Sequence, residues 1–480
     1  MNDPVSLRDG RITPDKLNQG FGSRVVECCF WHVDEPGDME VQRIAEFLPL
    51  GNFRRIVIKP NWVKHEERPE FPASSLVTSP TVIGVVIESC LLKYPDAESI
   101  TIGDVPLQSC QWDDLEQQAG ILKLREKYGT REHPRIRFCD WRQECYLRKY
   151  GFLEPAPNPG GGDPLGCREV VLDEDSFLES VSGESNRFRV SDYDGRETAR
   201  QHNPGRHRYL VAGSVLDCDL FINVPKLKTH QKAGLTCALK NLVGINVRKA
   251  YLVHHRQGRD DYASDGSRLV RFQVVVRELL QKRARLVFLG ARMAWLLIRR
   301  WAGIQTVSTR KNLKGRLYIG AGSWYGNDTL WRMIYDLNWI IRYAPREGGA
   351  LCPVPQRAYM VVMDALVAGE GDGPLQALPV PLGLLGMADN PFLMDLACAQ
   401  MMGFDWRKIP VLGNMSLFKA DSWGALRPDS VGITVDGHPY RSLDSVPVLH
   451  RFIPPPGWKG HIEAAPGEVG EESRKVAGYA

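Results

Sequence analysis

Short apolar runs rich in β-branched residues recur along the chain, and each stops abruptly at polar or charged residues. RRIVIKPN (54–61), SITIGD (99–104), DLFINVPK (219–226) and YMVVMD (359–364) are the clearest. Uninterrupted Val/Ile/Leu runs mark strands buried on both faces, and the segments between them carry helix-period patterns. The pattern therefore predicts an α/β fold, a largely parallel or mixed sheet flanked by helices. Ligands of open α/β sheets bind beyond the carboxyl ends of the strands, which is where these polar residues fall. Two helix starts are explicit: Ser79 and Pro80 precede TVIGVVIESCLLKY (81–94), and Asn390 and Pro391 open a helix closed by Gly403.

At 480 residues the chain has room for one large α/β domain with insertions. The expected divisions are an N-terminal extension (1–50), an α/β domain (51–250 and 317–453), a basic helical insertion (251–316) and a flexible tail (454–480). Residues 151–207, rich in Pro, Gly and acidic side chains, read as a long surface excursion with a few strands rather than a core element.

Composition excludes several classes. With 43% hydrophobic and 25% charged residues the chain is neither disordered nor collagen-like. A net charge of +4 offers no argument for a nucleic-acid partner. The charge is uneven, however: residues 241–316 hold 17 Lys/Arg against 4 Asp/Glu. Within them, 268–301 reads as a long helix or helical pair with Arg285, Arg292 and Arg299 seven residues apart. Its uncharged stretches are too short to span a bilayer. It fits either a peripheral contact with an anionic membrane or acidic protein, or an ordinary helix whose Arg stems reach outward. The opening MNDPVSLRDG lacks signal-peptide character, so the expected location is cytoplasmic, with peripheral contact to the inner face of the membrane through 268–301. Eleven scattered cysteines without a C-x-x-C read as reduced thiols, with no zinc knuckle or iron–sulfur cluster expected.

Chemistry concentrates in NVPKLKTHQKAGLTCALKNLVG (223–244). Lys226, Lys228, His230, Lys232 and Lys240 crowd the end of a predicted buried strand, where like charges repel unless an anion or acidic groups neutralise them. Extended-chain alternation sends Lys226, Lys228 and His230 to one side. His230 is the candidate general acid/base, with Lys228 and Asp372 as further catalytic candidates. Lys59, Asn61, Lys226, Lys240, Asn241, Asn327 and Arg332 are the candidate substrate-binding residues. Asp364, Glu370 and Asp372 lie in MDALVAGEGDGP (363–374), where alternating glycines suggest a loop able to hold a divalent cation such as Mg²⁺; a plain hairpin-like turn accounts for it equally well. Asn327 caps a predicted helix, with Asp328 and Arg332 four residues apart.

Taken in order, IKPNWV (58–63), TSPTV (78–82), NVPKLKTH (223–230), LKNLVG (239–244), GNDTLWR (326–332), GEGDGP (369–374) and DNPFLMDLACAQMMGFD (389–405) resemble the uncharacterised bacterial and archaeal family catalogued as domain of unknown function 362. The resemblance spans roughly 54–410 and implies an α/β fold. Some members carry an attached iron–sulfur segment, whose cysteine spacing this chain lacks.

The leading expectation is an enzyme binding an anionic small molecule, phosphorylated or carboxylated, for isomerisation, elimination or hydrolysis. One alternative is a non-catalytic metabolite-binding or assembly protein recruited through its basic insertion. Another, borrowed from the iron–sulfur relatives, is a redox accessory protein.

Overall fold

Ile56 and Ile58 face one side of a sheet and Val57 the other, and all three are shielded from solvent, which is why the run is apolar throughout. The structure, a computed structural model of the chain, describes residues 27–66, 68–131, 133–149, 152–190, 195–260, 321–418, 423 and 426–465. In chain order the main strands are β1 (Glu27–His32), β2 (Arg55–Pro60), β3 (Ser99–Asp104), β4 (Arg135–Asp140), β5 (Leu220–Val224), β6 (Lys226–His230), β7 (Gly234–Thr236), β8 (Ala358–Asp372), β9 (Gln376–Ala388), β10 (Gly432–Val435) and β11 (His438–Tyr440).

Their spatial order is β11-β10-β1-β9-β8-β5-β2-β3-β4, with β6 set beside β8 and β7 beside β6. Strands β8, β5, β2, β3 and β4 run parallel; the long β8–β9 hairpin and β1 add antiparallel pairing. The sheet is thus mixed. Helices α1 (Asp38–Phe47) and α2 (Pro80–Lys93) cover one face. On the other lie α3 (Ala238–Asn241), α4 (Leu330–Tyr343) and α5 (Pro391–Met401). Both proline-started helices begin where expected, and Asn390 caps α5 by accepting from the amides of Phe392 and Leu393. No helix among the described residues is long and apolar enough to cross a membrane.

Several expectations need correction. The supposed N-terminal extension contributes β1, which pairs with β9 and β10 inside the main sheet. The glycine-alternating MDALVAGEGDGP is strand rather than loop as far as Asp372. A Cβ at Gly369 would stand 2.8 Å from that of Ala377 and 3.0 Å from that of Lys228, so the glycine admits neighbouring strands. Residues 151–207 do hold strands, Cys167–Val171 pairing with Arg206–Ala212, but they also enter the core, where the Phe177 ring packs on Tyr335 and Trp339 of α4. At the other end, Trp458 and Ile462 are fully buried, and the Trp458 indole donates to the Gln231 carbonyl at 2.6 Å, so the first part of the expected tail is packed. The predicted helix at 268–301 lies outside the described residues.

Candidate active site

Lys59 ends β2 and Asp104 ends the adjacent parallel strand β3, so strand register alone brings them together. Their buried ion pair measures 2.8 Å, and Lys59 Nζ also donates to the Pro60 carbonyl at 2.6 Å. Asp104 accepts in addition from the amides of Trp62 (2.6 Å) and Val105 (2.7 Å). Burial draws the Lys59 amine's proton affinity down, and the charge and hydrogen bond of Asp104 oppose it.

Asn241, at the end of α3, joins three motifs that are distant in sequence. Its Oδ1 accepts from Lys59 Nζ (3.2 Å) and Asn61 Nδ2 (2.8 Å), and its Nδ2 donates to Asn223 Oδ1 (2.7 Å). Lys59, Asn61 and Asn241 therefore do meet, at the carboxyl ends of β2 and β5, and all three are buried. The Asn61 Oδ1 acceptor has no hydrogen-bond partner.

Alternation in K-L-K-T-H holds, because these residues form β6. Lys226 pairs with Asp364 at 2.9 Å, and Asp364 also accepts from the amides of Ser79 (2.7 Å) and Leu366 (3.1 Å). The Lys228 amine is spent on the Leu76 carbonyl. Burial first, then Lys226 and Lys240, pushes its proton affinity far down. Lys249 donates to the Val105 carbonyl at 2.6 Å, and burial lowers its pKa to about 7. Lys240 is 9% exposed and has neither a hydrogen-bond nor an ion-pair partner among the described residues. Burial, followed by Lys249 and Lys232, lowers its pKa to about 7 as well.

Five buried lysines, Lys59, Lys226, Lys228, Lys240 and Lys249, thus share two bonded carboxylates, Asp104 and Asp364. Nearby Asp140 is already held by Arg142 at 2.6 Å. Buried amines therefore outnumber the carboxylates bonded to them.

Two histidines complete the toolkit. His230 Nδ1 accepts from the amides of Lys232 (3.0 Å) and Ala233 (3.2 Å), which places the ring proton on Nε2. His254 Nδ1 faces the Leu252 carbonyl at 2.7 Å, which places its proton on Nδ1 and leaves Nε2 a lone pair. Burial and neighbouring lysines hold both imidazoles well below their ordinary range. Neutral at pH 7, one is a fixed donor and the other a fixed acceptor.

Other expected site residues lie elsewhere. Glu370 and Asp372 lie beyond an irregularity in β8, where the register against β6 jumps from Lys226–Asp364 to Lys228–Gly369. Glu370 accepts from the Ile453 amide and faces His450, while Asp372 lies at the hairpin tip opposite Gln376. Asp364, Glu370 and Asp372 therefore do not converge on a cation, and among the described residues no group of three or more His, Cys, Asp or Glu is placed to hold one. Asp372 does run beside His230: the Thr229 hydroxyl donates to the Gly371 carbonyl at 2.9 Å and the Gln231 amide donates to the Gly373 carbonyl at 2.9 Å. Asn327 caps the start of α4 through the amides of Thr329 and Leu330. Arg332 pairs with Asp328 at 3.1 Å and stacks on Trp331, both structural tasks. A small crevice does touch Asn327 and Lys232. Asp104, Lys249, His254 and Asn223 were missed. Asp104 and Asn223 had a signal, being the polar residues of SITIGD and DLFINVPK, whereas Lys249 and His254 were absorbed in the general basic character of 241–316.

Two solved structures are distantly similar. A crystal structure of a protein from Thermotoga maritima is 11% identical, with a TM-score of 0.33 over 77% of this chain and 60% of that one. The lactate racemase apoprotein from Thermoanaerobacterium thermosaccharolyticum is 11% identical, with a TM-score of 0.30 over 82% of this chain and 59% of that one. The chain spans less than two thirds of either. No curated protein matches. The family model described as Domain of unknown function (DUF362) matches residues 171–400, the same family that the ordered motifs resemble.

Proposed function

We propose that the chain is an enzyme acting on an anionic small molecule, phosphorylated or carboxylated, by lysine- and histidine-assisted acid/base chemistry. The observation that carries this reading is the surplus of buried amines, above all Lys240, over the carboxylates bonded to them. Isolated buried charge is strongly unfavourable, and an anion resting among Lys228, Lys240 and Lys249 would relieve it. Negative charge developing on a substrate oxygen is stabilised by amines already fixed in place. The Nε2 lone pair of His254 is suited to accept a proton and the Nε2–H of His230 to donate one. Isomerisation, elimination and hydrolysis all use that pair of roles.

An anion beside Lys240 and Lys249 favours their charged forms, and both amines are partly neutral near pH 7. Binding is therefore accompanied by proton uptake. Titration calorimetry with inorganic phosphate, repeated in two buffers of different ionisation heat, should show uptake near pH 7.5. Binding without proton uptake, or no binding of phosphate or small carboxylates, would remove the lysine cluster as the anion site.

A further inference from the structure

We infer that Lys240 is a covalent nucleophile that forms an imine with a small carbonyl compound carrying an anionic group, such as an oxo-acid or a phosphorylated aldehyde or ketone. This rests on the anion-site reading above and assigns Lys240 a role different from simply holding the charge. The argument begins with what the other lysines are doing. Lys59 and Lys226 are locked in buried ion pairs with Asp104 and Asp364, which engage their nitrogens. Lys228 and Lys249 each give one N–H to a backbone carbonyl, of Leu76 and Val105. Lys240 alone of the five has neither a hydrogen-bond nor an ion-pair partner among the described residues, although its side chain is nine-tenths buried.

Its aim is fixed from both sides. The carboxylate of Asp395 accepts from the amides of Ala238 (2.7 Å) and Leu239 (3.2 Å), and the next residue, Asn241, is tied into the Lys59, Asn61 and Asn223 network. Lys249, Lys232 and Lys59 are the cations acting on it, with Asp104 opposing them. A buried lysine among cations is the environment that frees an amine lone pair at neutral pH. The lowered proton affinity of Lys240 agrees with this placement.

The step balances without an added oxidant or reductant. The Nζ lone pair attacks the carbonyl carbon, a C–N bond forms, and the π pair moves to oxygen, which takes a proton. The carbinolamine then loses that oxygen as water, the amine gives up its remaining hydrogens, and a C=N bond results. The Nε2–H of His230 is suited to protonate the departing hydroxyl, and the anionic group of the substrate is matched by Lys228 and Lys249.

The test uses the full chain, glyoxylate as a small anionic aldehyde, cyanoborohydride to trap the imine, and peptide mapping at pH 7. Lys240 should be labelled on the order of tenfold or more faster than exposed Lys123 and Lys459, despite its burial. Inorganic phosphate should slow that labelling, and Lys240→Arg should abolish it at this position. Labelling of Lys240 no faster than that of Lys123, while phosphate still raises the melting temperature, overturns the imine and leaves the anion site standing. Absence of both the phosphate response and the labelling overturns the two together. Labelling that phosphate does not slow overturns the assignment of an anionic substrate.

Discussion

Gly244 makes room for Asp104: a Cβ at position 244 would stand 1.8 Å from the Asp104 Oδ1 and 2.6 Å from Lys59 Nζ. The flexible end of a lysine can yield, but Asp104 is held by two backbone amides as well as by Lys59. Gly244→Ala should therefore destabilise the protein by about 1–3 kcal/mol through overpacking. Urea unfolding measures this as a lower midpoint at unchanged slope. A neutral substitution would mean that the ion pair does not sit under position 244.

Removing the counter-ion should do more damage. Asp104→Asn leaves a buried Lys59 ammonium without its carboxylate, which costs about 3–5 kcal/mol for a buried pair. Replacing both partners with apolar residues, Lys59→Met with Asp104→Leu, should be less destabilising than Asp104→Asn alone. Denaturant titration of the single and double variants checks the order, and the reverse order would show that the pair itself is not the source of the loss.

Stability should rise with pH above neutrality, an unusual direction that follows from the neutral amines. Folded Lys240 and Lys249 lose their protons at about 7, against an ordinary value of 10.5. Between those values the unfolded chain holds more protons, so each amine adds up to about 1.4 kcal/mol per pH unit, with nothing added below about 7 where both states are charged. Lys240→Met should flatten the slope measured between about pH 7.5 and 9.5. It should also leave the protein more stable than the parent near pH 7. A parent protein whose unfolding midpoint falls across that window would contradict the burial of these amines.

Trp458→Ala should cost about 3–5 kcal/mol, because a fully buried indole and its hydrogen bond to Gln231 are lost. Gln231 follows His230 directly, so the loop that sets the His230 tautomer should also loosen. Hydrogen exchange at the Lys232 and Ala233 amides reports it; unchanged exchange would separate this segment from the site.

The sequence made the strand ends legible because apolar runs interrupted by Lys59, Asp104, Asn223 and Asp364 are local patterns. Proline-started helices at Pro80 and Pro391 were legible for the same reason. What escaped depends on distant pairing. ECCFWH at β1 carries no strong alternation and becomes central only because β9 and β10 flank it. The alternating glycines suggested a cation loop, whereas Gly369 and Gly373 serve close approach to Lys228 and Thr229 of β6. Lysines of 223–244 were recognisable as a group, but which would be paired and which left alone depended on Asp104 and Asp364, which lie far away in sequence.

The Asn241 side chain grips residues 180 and 182 positions earlier, so this cluster is a junction between widely separated parts of the polypeptide. The DUF362 match covers 171–400 and therefore brings Lys226, Lys228, Lys240 and Lys249 while leaving out Lys59, Asn61 and Asp104. Grafting that stretch alone onto another scaffold would transplant amines without the aspartate that faces them. A working minigene has to reach back at least through β2 and β3.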